Sequence, residues 1–215
     1  MVRAFLQARM SSQRFPGKVL APLKGQPIIK RVLERVTRVF PLRQVVILTS
    51  VEASDDPLAC YARSLGVAVY RGELDNVAAR FQGCLRVCPC SWFVRLCADS
   101  PLLDATVLEA VAAHCKREDL DLVTNVFPRT FPKGQSVEMV KADTFAALDV
   151  QTLSAEEREH VTAVFYHHPQ RFRILNITSS DLRRTELSYV VDTVDDWRRL
   201  EMTWESGDLQ EGVWR

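Results

Sequence analysis

The sequence predicts an α/β fold, with a mainly parallel sheet covered by helices on both faces in a single domain. Three observations predict it. Short β-branched runs alternate with helix-period segments almost from end to end, an order that packs as parallel strands joined by crossover helices. The 215 residues are 47% hydrophobic and 26% charged, a globular composition long enough to bury a core without a disulfide or metal staple. No internal repeat, low-complexity tract or linker interrupts residues 1–215, so one domain is expected.

The strands read in order as residues 2–8 (VRAFLQA), 45–50 (VVILTS), 67–72 (VAVYRG), 92–98 (WFVRLCA), 121–127 (DLVTNVF) and 188–193 (SYVVDT). Helices fall between them. In PIIKRVLERVTRVF, Ile28, Ile29, Val32, Leu33, Val36 and Val39 share one helical face. DPLACYARSLG ends on Gly66 as a C-cap, and DATVLEAVAAHCKRE opens on Asp104 as N-cap. SAEEREHVTAVFYHH opens with Ser154 and Glu157 at capping-box spacing. Residues 127–142 depart from the pattern, with Pro128, Pro132 and Gly134 before SVEMVKA, and read as an inserted hairpin or arm beside the site. In such a sheet the ligand site lies beyond the C-terminal strand ends.

Composition excludes several classes of function. No apolar stretch approaches the roughly 20 residues of a membrane span. The opening MVRAFLQARM lacks an apolar h-region and a cleavage site, so a cytoplasmic location is expected. The six cysteines (Cys60, Cys84, Cys88, Cys90, Cys97, Cys115) lack CxxC pairs and histidines at zinc spacing, and read as buried thiols. Cys84, Cys88 and Cys90 together lack a fourth metal ligand nearby.

The net charge of +1 conceals an asymmetry. Residues 1–38 carry nine Lys or Arg against one acid, Glu34, so an anion meets the N-terminal part. The cations stand singly and without interleaved aromatics, which argues against nucleic acid and for a small polyanion such as a triphosphate. Lys30, Arg31, Arg35 and Arg38 read as the solvated face of a helix.

The first strand runs straight into Arg9-Met10-Ser11-Ser12-Gln13-Arg14-Phe15-Pro16-Gly17-Lys18, a polar loop with cations at near-regular spacing. Backbone amides at such a strand end, flanked by Arg and Lys, can clamp phosphate. The loop matches neither GxGxxG nor GxxxxGK[ST], which removes the dehydrogenase and P-loop readings. Asp99 and Asp192 each end a predicted strand, where paired oxygen ligands could hold Mg²⁺ against a triphosphate. Asp99, Asp104, Asp195 and Asp196 also admit an N-cap reading.

Gln7 through Lys18 is similar to the ARxxSxRxPGK opening of the sugar-acid cytidylyltransferases, the relatives of CMP-KDO and CMP-sialate synthetases. The likeness is greatest to the spore-coat polysaccharide biosynthesis cytidylyltransferases. Four more stretches agree in order: Val94–Asp104, Gly134–Val140, Arg158–Thr162 and Val190–Asp196. The resemblance implies a Rossmann-like nucleotide-diphospho-sugar transferase fold and the reaction of CTP with a sugar acid to CMP-sugar and pyrophosphate. It implies Arg9, Ser12, Arg14 and Lys18 on the triphosphate, Asp99 and Asp192 as Mg²⁺ ligands, Arg71 near the cytosine (with a structural salt bridge as the alternative for Arg71), and a homodimer built partly by the 127–142 arm. Two departures stand out. Ser11 replaces the usual Gly, which restricts φ, and Gln135-Ser136 replaces Leu-Asp beside the acceptor pocket.

An acceptor hydroxyl attacking the α-phosphorus needs positioning and charge neutralisation, with no covalent nucleophile. His160 and Glu138 are candidates to bind the acceptor, His160 also as orienting group or base. His167 and His168 read as a helix end. Two rival readings are a nucleotide-sugar-dependent glycosyltransferase, which leaves the Arg9–Lys18 clamp without a purpose, and a degenerate, non-catalytic nucleotide-binding paralogue.

Overall fold

A computed structural model describes residues 1–181 and 185–205. Its centre is a seven-stranded sheet in the order β5-β4-β1-β6-β8-β7-β9. The strands are β1 (Val2–Gln7), β4 (Val45–Ser50), β5 (Ala68–Gly72), β6 (Trp92–Cys97), β7 (Leu122–Thr124), β8 (Glu138–Lys141) and β9 (Ile174–Asn176), with a small separate ribbon of β2 (Pro22–Leu23) and β3 (Gln26–Pro27). β5, β4, β1 and β6 run parallel, β8 lies antiparallel between β6 and β7, and β9 is parallel to β7.

Side-chain alternation along the strands feeds two cores. From β1, Ala4 and Leu6 pack toward α1 (Ile28–Val36), α2 (Asp56–Ser64) and α4 (Ala105–Ala112). Phe5 points the other way, to α3 (Val77–Val87), α5 (Ala142–Ala146) and α7 (Ala163–His167). There the Phe5 ring stacks on Phe93 at 5.2 Å between centroids and meets the edge of Phe81 at 5.9 Å. Among the described residues, no helix is long and apolar enough to cross a membrane.

Most expected elements form, with caps where the side chains require them. Asp104 Oδ1 accepts from the Thr106 amide at 2.8 Å, and the Ser154–Glu157 capping box is complete before α6 (Ala155–Glu159). Four expectations are corrected. The helix predicted over 154–168 breaks after α6, where Val161 takes φ +31, costly backbone for a β-branched residue, before α7 resumes. The end of the arm predicted over 127–142 joins the sheet, because Glu138, Met139 and Val140 are buried and pair on both sides as β8, while 127–137 run as turns and loop before it.

Residues 188–193 are not a strand of the main sheet. Apart from a bridge between Ser188 and Lys133, they run as extended chain into α8 (Val194–Glu205). Gly134, at φ +94, leaves no room for a Cβ, which would stand 2.9 Å from the Tyr189 backbone carbon, and so lets the two segments touch. The thiols are also less uniform than expected, since Cys84 is buried, Cys60 is exposed and the other four are half-buried.

Candidate functional site

Beyond the C-terminal ends of β1 and β6 lies a cleft of about 740 Å³ lined by residues of the 8–19 loop, Arg95, Asp99, His160 and Asp192. The loop is closed by the Gly17 amide donating to the Met10 carbonyl at 2.8 Å, a turn that needs φ +73 at Gly17. Its start is tied to β4. The Met10 amide donates to Asp55 Oδ1 at 2.7 Å, while Asp55 Oδ2 accepts from the Ser50 amide, Thr49 Oγ1 and Ser50 Oγ. Burial works against the Asp55 charge, but these donors outweigh it and hold its carboxyl below the ordinary carboxylate range.

The loop places Lys18 on a single 3₁₀ turn, Lys18–Leu20, with its chain buried and its Nζ 2.8 Å from Asp99 Oδ2 and 2.9 Å from Asp192 Oδ1. Burial disfavours the ammonium, yet the two carboxylates more than compensate and raise its pKa above the usual 10.5. Asp192 arrives beside Asp99 because the Val191 amide donates to the Asp99 carbonyl at 2.9 Å. Asp196 fixes the following turn, its Oδ2 accepting from the Thr193 amide at 2.9 Å and Thr193 Oγ1 at 2.8 Å.

Arg14 reaches Asp192 Oδ2 at 3.1 Å, and Arg9 meets Glu159 Oε1 at 3.2 Å. Such exposed pairs are worth less than about 1 kcal/mol, so an incoming polyanion can take both guanidinium groups over. Ser12 caps the loop, its Oγ accepting from the Phe15 amide at 3.4 Å. Ser11 is not in the left-handed region, so the expected restriction on φ is not a constraint here. Its Oγ is buried with no hydrogen-bond partner.

A second cleft of about 360 Å³ adjoins the first, sharing Arg95, Cys97 and His160 with it. Its floor is Glu138, 3% exposed, whose Oε1 accepts from Thr162 Oγ1 and Tyr166 OH, both at 2.6 Å, and whose Oε2 pairs with Arg95. Burial penalises the Glu138 charge, and Arg95 and the two hydroxyls overcome that penalty and lower its pKa. The Val161 kink aims Thr162 inward to this carboxylate. His160 is exposed at the junction of both clefts.

The structure thus gathers Arg9, Ser12, Arg14, Lys18, Asp99, Asp192 and His160 around one cleft, and Glu138 and His160 around the next. Arg71 is the exception, in the structural salt bridge that is its alternative reading. It lies outside the residues lining either cleft, and its guanidinium is spent on Asp56 at 2.6 Å, the Ser50 carbonyl at 2.7 Å and the Glu52 carbonyl at 2.9 Å. Sequence reasoning missed Asp55, Arg95 and Arg80. Arg80, 1% exposed, lines the larger cleft and donates to the Glu73 and Leu74 carbonyls, and its desolvation drops its pKa to about 10. Its signal was present, a charged residue amid the apolar positions of α3.

Residues 4–203 match a family model described as cytidylyltransferase. The spore coat polysaccharide biosynthesis protein SpsF of Bacillus subtilis is 28% identical over 216 residues, covering 97% of this chain and 88% of that protein. Among solved structures, a cytidylyltransferase from Leptospira borgpetersenii superposes with TM-score 0.86 at 25% identity, covering 98% of this chain and 97% of that one. A CMP:2-keto-3-deoxy-manno-octonic acid synthetase complexed with CTP shares the fold, with TM-score 0.74 at 14% identity and coverage of 96% and 99%.

Proposed function

The chain belongs to the cytidylyltransferase family and is a nucleotidyltransferase, and from that premise we propose that it transfers CMP from CTP to a hydroxyl of a sugar acid, releasing pyrophosphate, for cell-surface polysaccharide synthesis. The observation that carries the reading is Lys18 between Asp99 and Asp192 in a cleft that Arg9 and Arg14 also line, beside a second cleft sized for a small polar acceptor. SpsF supports the role in polysaccharide synthesis by its name.

The larger cleft takes the triphosphate. CTP carries about four negative charges near neutral pH, as its terminal phosphate titrates near 6. Arg9, Arg14 and Lys18 release their carboxylate partners and neutralise much of this charge, and Ser12 and the amides of the 10–17 loop orient the phosphates. Asp99 and Asp192 would hold Mg²⁺. The fit is chemical: two carboxylates converge on a cation, here the Lys18 ammonium, and offer hard oxygen donors. When bound, the ion supplies positive charge to the phosphates.

The acceptor sits in the smaller cleft with its hydroxyl toward the shared wall of Arg95 and His160. That oxygen attacks the α-phosphorus as the bond to pyrophosphate breaks in line, and His160 receives the hydroxyl proton. Glu138 acts as a positioning residue, since both its oxygens are occupied, and what it holds in place is Arg95. The test is a matrix of nucleoside triphosphates against sugar acids read by pyrophosphate release, with CTP and a sugar acid together expected to be required. Equal turnover with UTP removes the cytidylyl assignment and leaves nucleotidyl transfer standing.

A further inference from the structure

Among the described residues, no carboxylate is paired with Arg129, one of the two guanidinium groups lining the smaller cleft. It sits after β7 on a short turn closed by a bridge between Val126 and Arg129, half-buried among the residues lining that cleft. The turn is held from below. Buried Asn125 donates to the Gln135 carbonyl at 2.6 Å and accepts from the Val137 amide at 2.9 Å, which pins residues 135–137 against β7.

Among the described residues, the one side-chain partner of Arg129 is a neutral hydroxyl, Ser136 Oγ, which accepts from Nη1 at 3.1 Å. The carboxylate that attracts it, Glu138, is already consumed by Arg95, Thr162 and Tyr166. Glu156, at the rim, is exposed and faces His167. Arg95 and Arg129 therefore face one buried carboxylate, beside the stacked rings of Phe127 and Tyr166, whose centroids are 5.0 Å apart. A partly desolvated guanidinium with donors to spare fits a planar carboxylate bidentately.

We propose that Arg129 binds the carboxylate of the acceptor and is the residue that selects a sugar acid over a neutral sugar. This rests on the proposed cytidylyl transfer and adds to it the group that recognises the acid.

The experiment measures Arg129→Gln and Arg129→Lys with 3-deoxy-manno-octulosonate and N-acetylneuraminate and the methyl ester of each, by calorimetric binding and by pyrophosphate release. For whichever acid the wild type binds, Arg129→Gln is expected to raise its Kd and KM about 10- to 100-fold, the loss of a charge-assisted pair. The KM for CTP and the affinity for the ester should stay within about twofold, and Arg129→Lys should fall between. Equal losses for acid and ester, an unchanged acid affinity in Arg129→Gln, or a wild type that binds neither acid overturns the proposal. Binding of an acid without pyrophosphate release instead counts against the transfer reaction while leaving the Arg129 result intact.

Discussion

The amide of Val191 donates to the carbonyl of Asp99 at 2.9 Å, joining an extended segment to the end of β6 and setting the next side chain, Asp192, against Asp99. Two carboxylates far apart in sequence thereby meet on the Lys18 ammonium. Asp99→Asn and Asp192→Asn keep size and one oxygen while removing a charge. Each is expected to fold and to lose about 10²- to 10³-fold in turnover, typical of a preorganised electrostatic group. EDTA should abolish pyrophosphate release and excess Mg²⁺ restore it. Near-wild-type release by both variants at limiting Mg²⁺ would make these carboxylates ordinary structural acids.

Asp55 binds the phosphate loop to β4 through the Met10 amide. Asp55→Asn should lower stability by about 2 kcal/mol, the scale of hydrogen bonds to a charged group, and raise the KM for CTP. Because the folded carboxyl titrates below its ordinary value of 3.8, its contribution is present above about pH 4 and is lost as pH falls through the folded pKa. Denaturation curves of wild type and variant should therefore differ at pH 7 and converge in acid. A constant gap across that range would show that the charge is not what Asp55 contributes.

Ser11 Oγ is buried and has no hydrogen-bond partner among the described residues. An unsatisfied hydroxyl costs stability, so Ser11→Ala should be neutral or stabilising by up to about 1 kcal/mol. If a CTP phosphate completes this hydroxyl, the same variant raises the KM for CTP several-fold, and thermal melts with and without CTP will show the two effects in opposite directions.

Arg71 is held by Asp56 and two carbonyls at the edge of β5. Arg71→Ala should leave the preference for CTP over UTP unchanged and lower the melting temperature slightly. A collapse of that preference, measured as the ratio of kcat/KM values, would return Arg71 to the base.

The parallel core was legible because β-branched runs and amphipathic helices alternate with clear periods, as in β1 and α1. The phosphate loop was legible too, since cations at Arg9, Arg14 and Lys18 follow a strand directly. What pattern could not show is tertiary. SYVVDT has strand composition, yet backbone bonds from Lys133 and Asp99 hold it beside the sheet. SVEMVKA follows two prolines and a glycine, yet becomes a central strand because β6 and β7 both need a partner. The Val161 kink runs against local preference and is visible only where Thr162 reaches Glu138. Arg95 and Arg129 differ only in whether a carboxylate answers them, which no spacing encodes.

The central claim is tested most directly by following the α-phosphorus of CTP. With α-labelled CTP, Mg²⁺ and a panel of sugar acids, the label should appear on one acid as its CMP derivative, in step with one pyrophosphate per transfer. Tight binding of CTP, with neither labelled sugar nor pyrophosphate from any acid in the panel, would contradict the account.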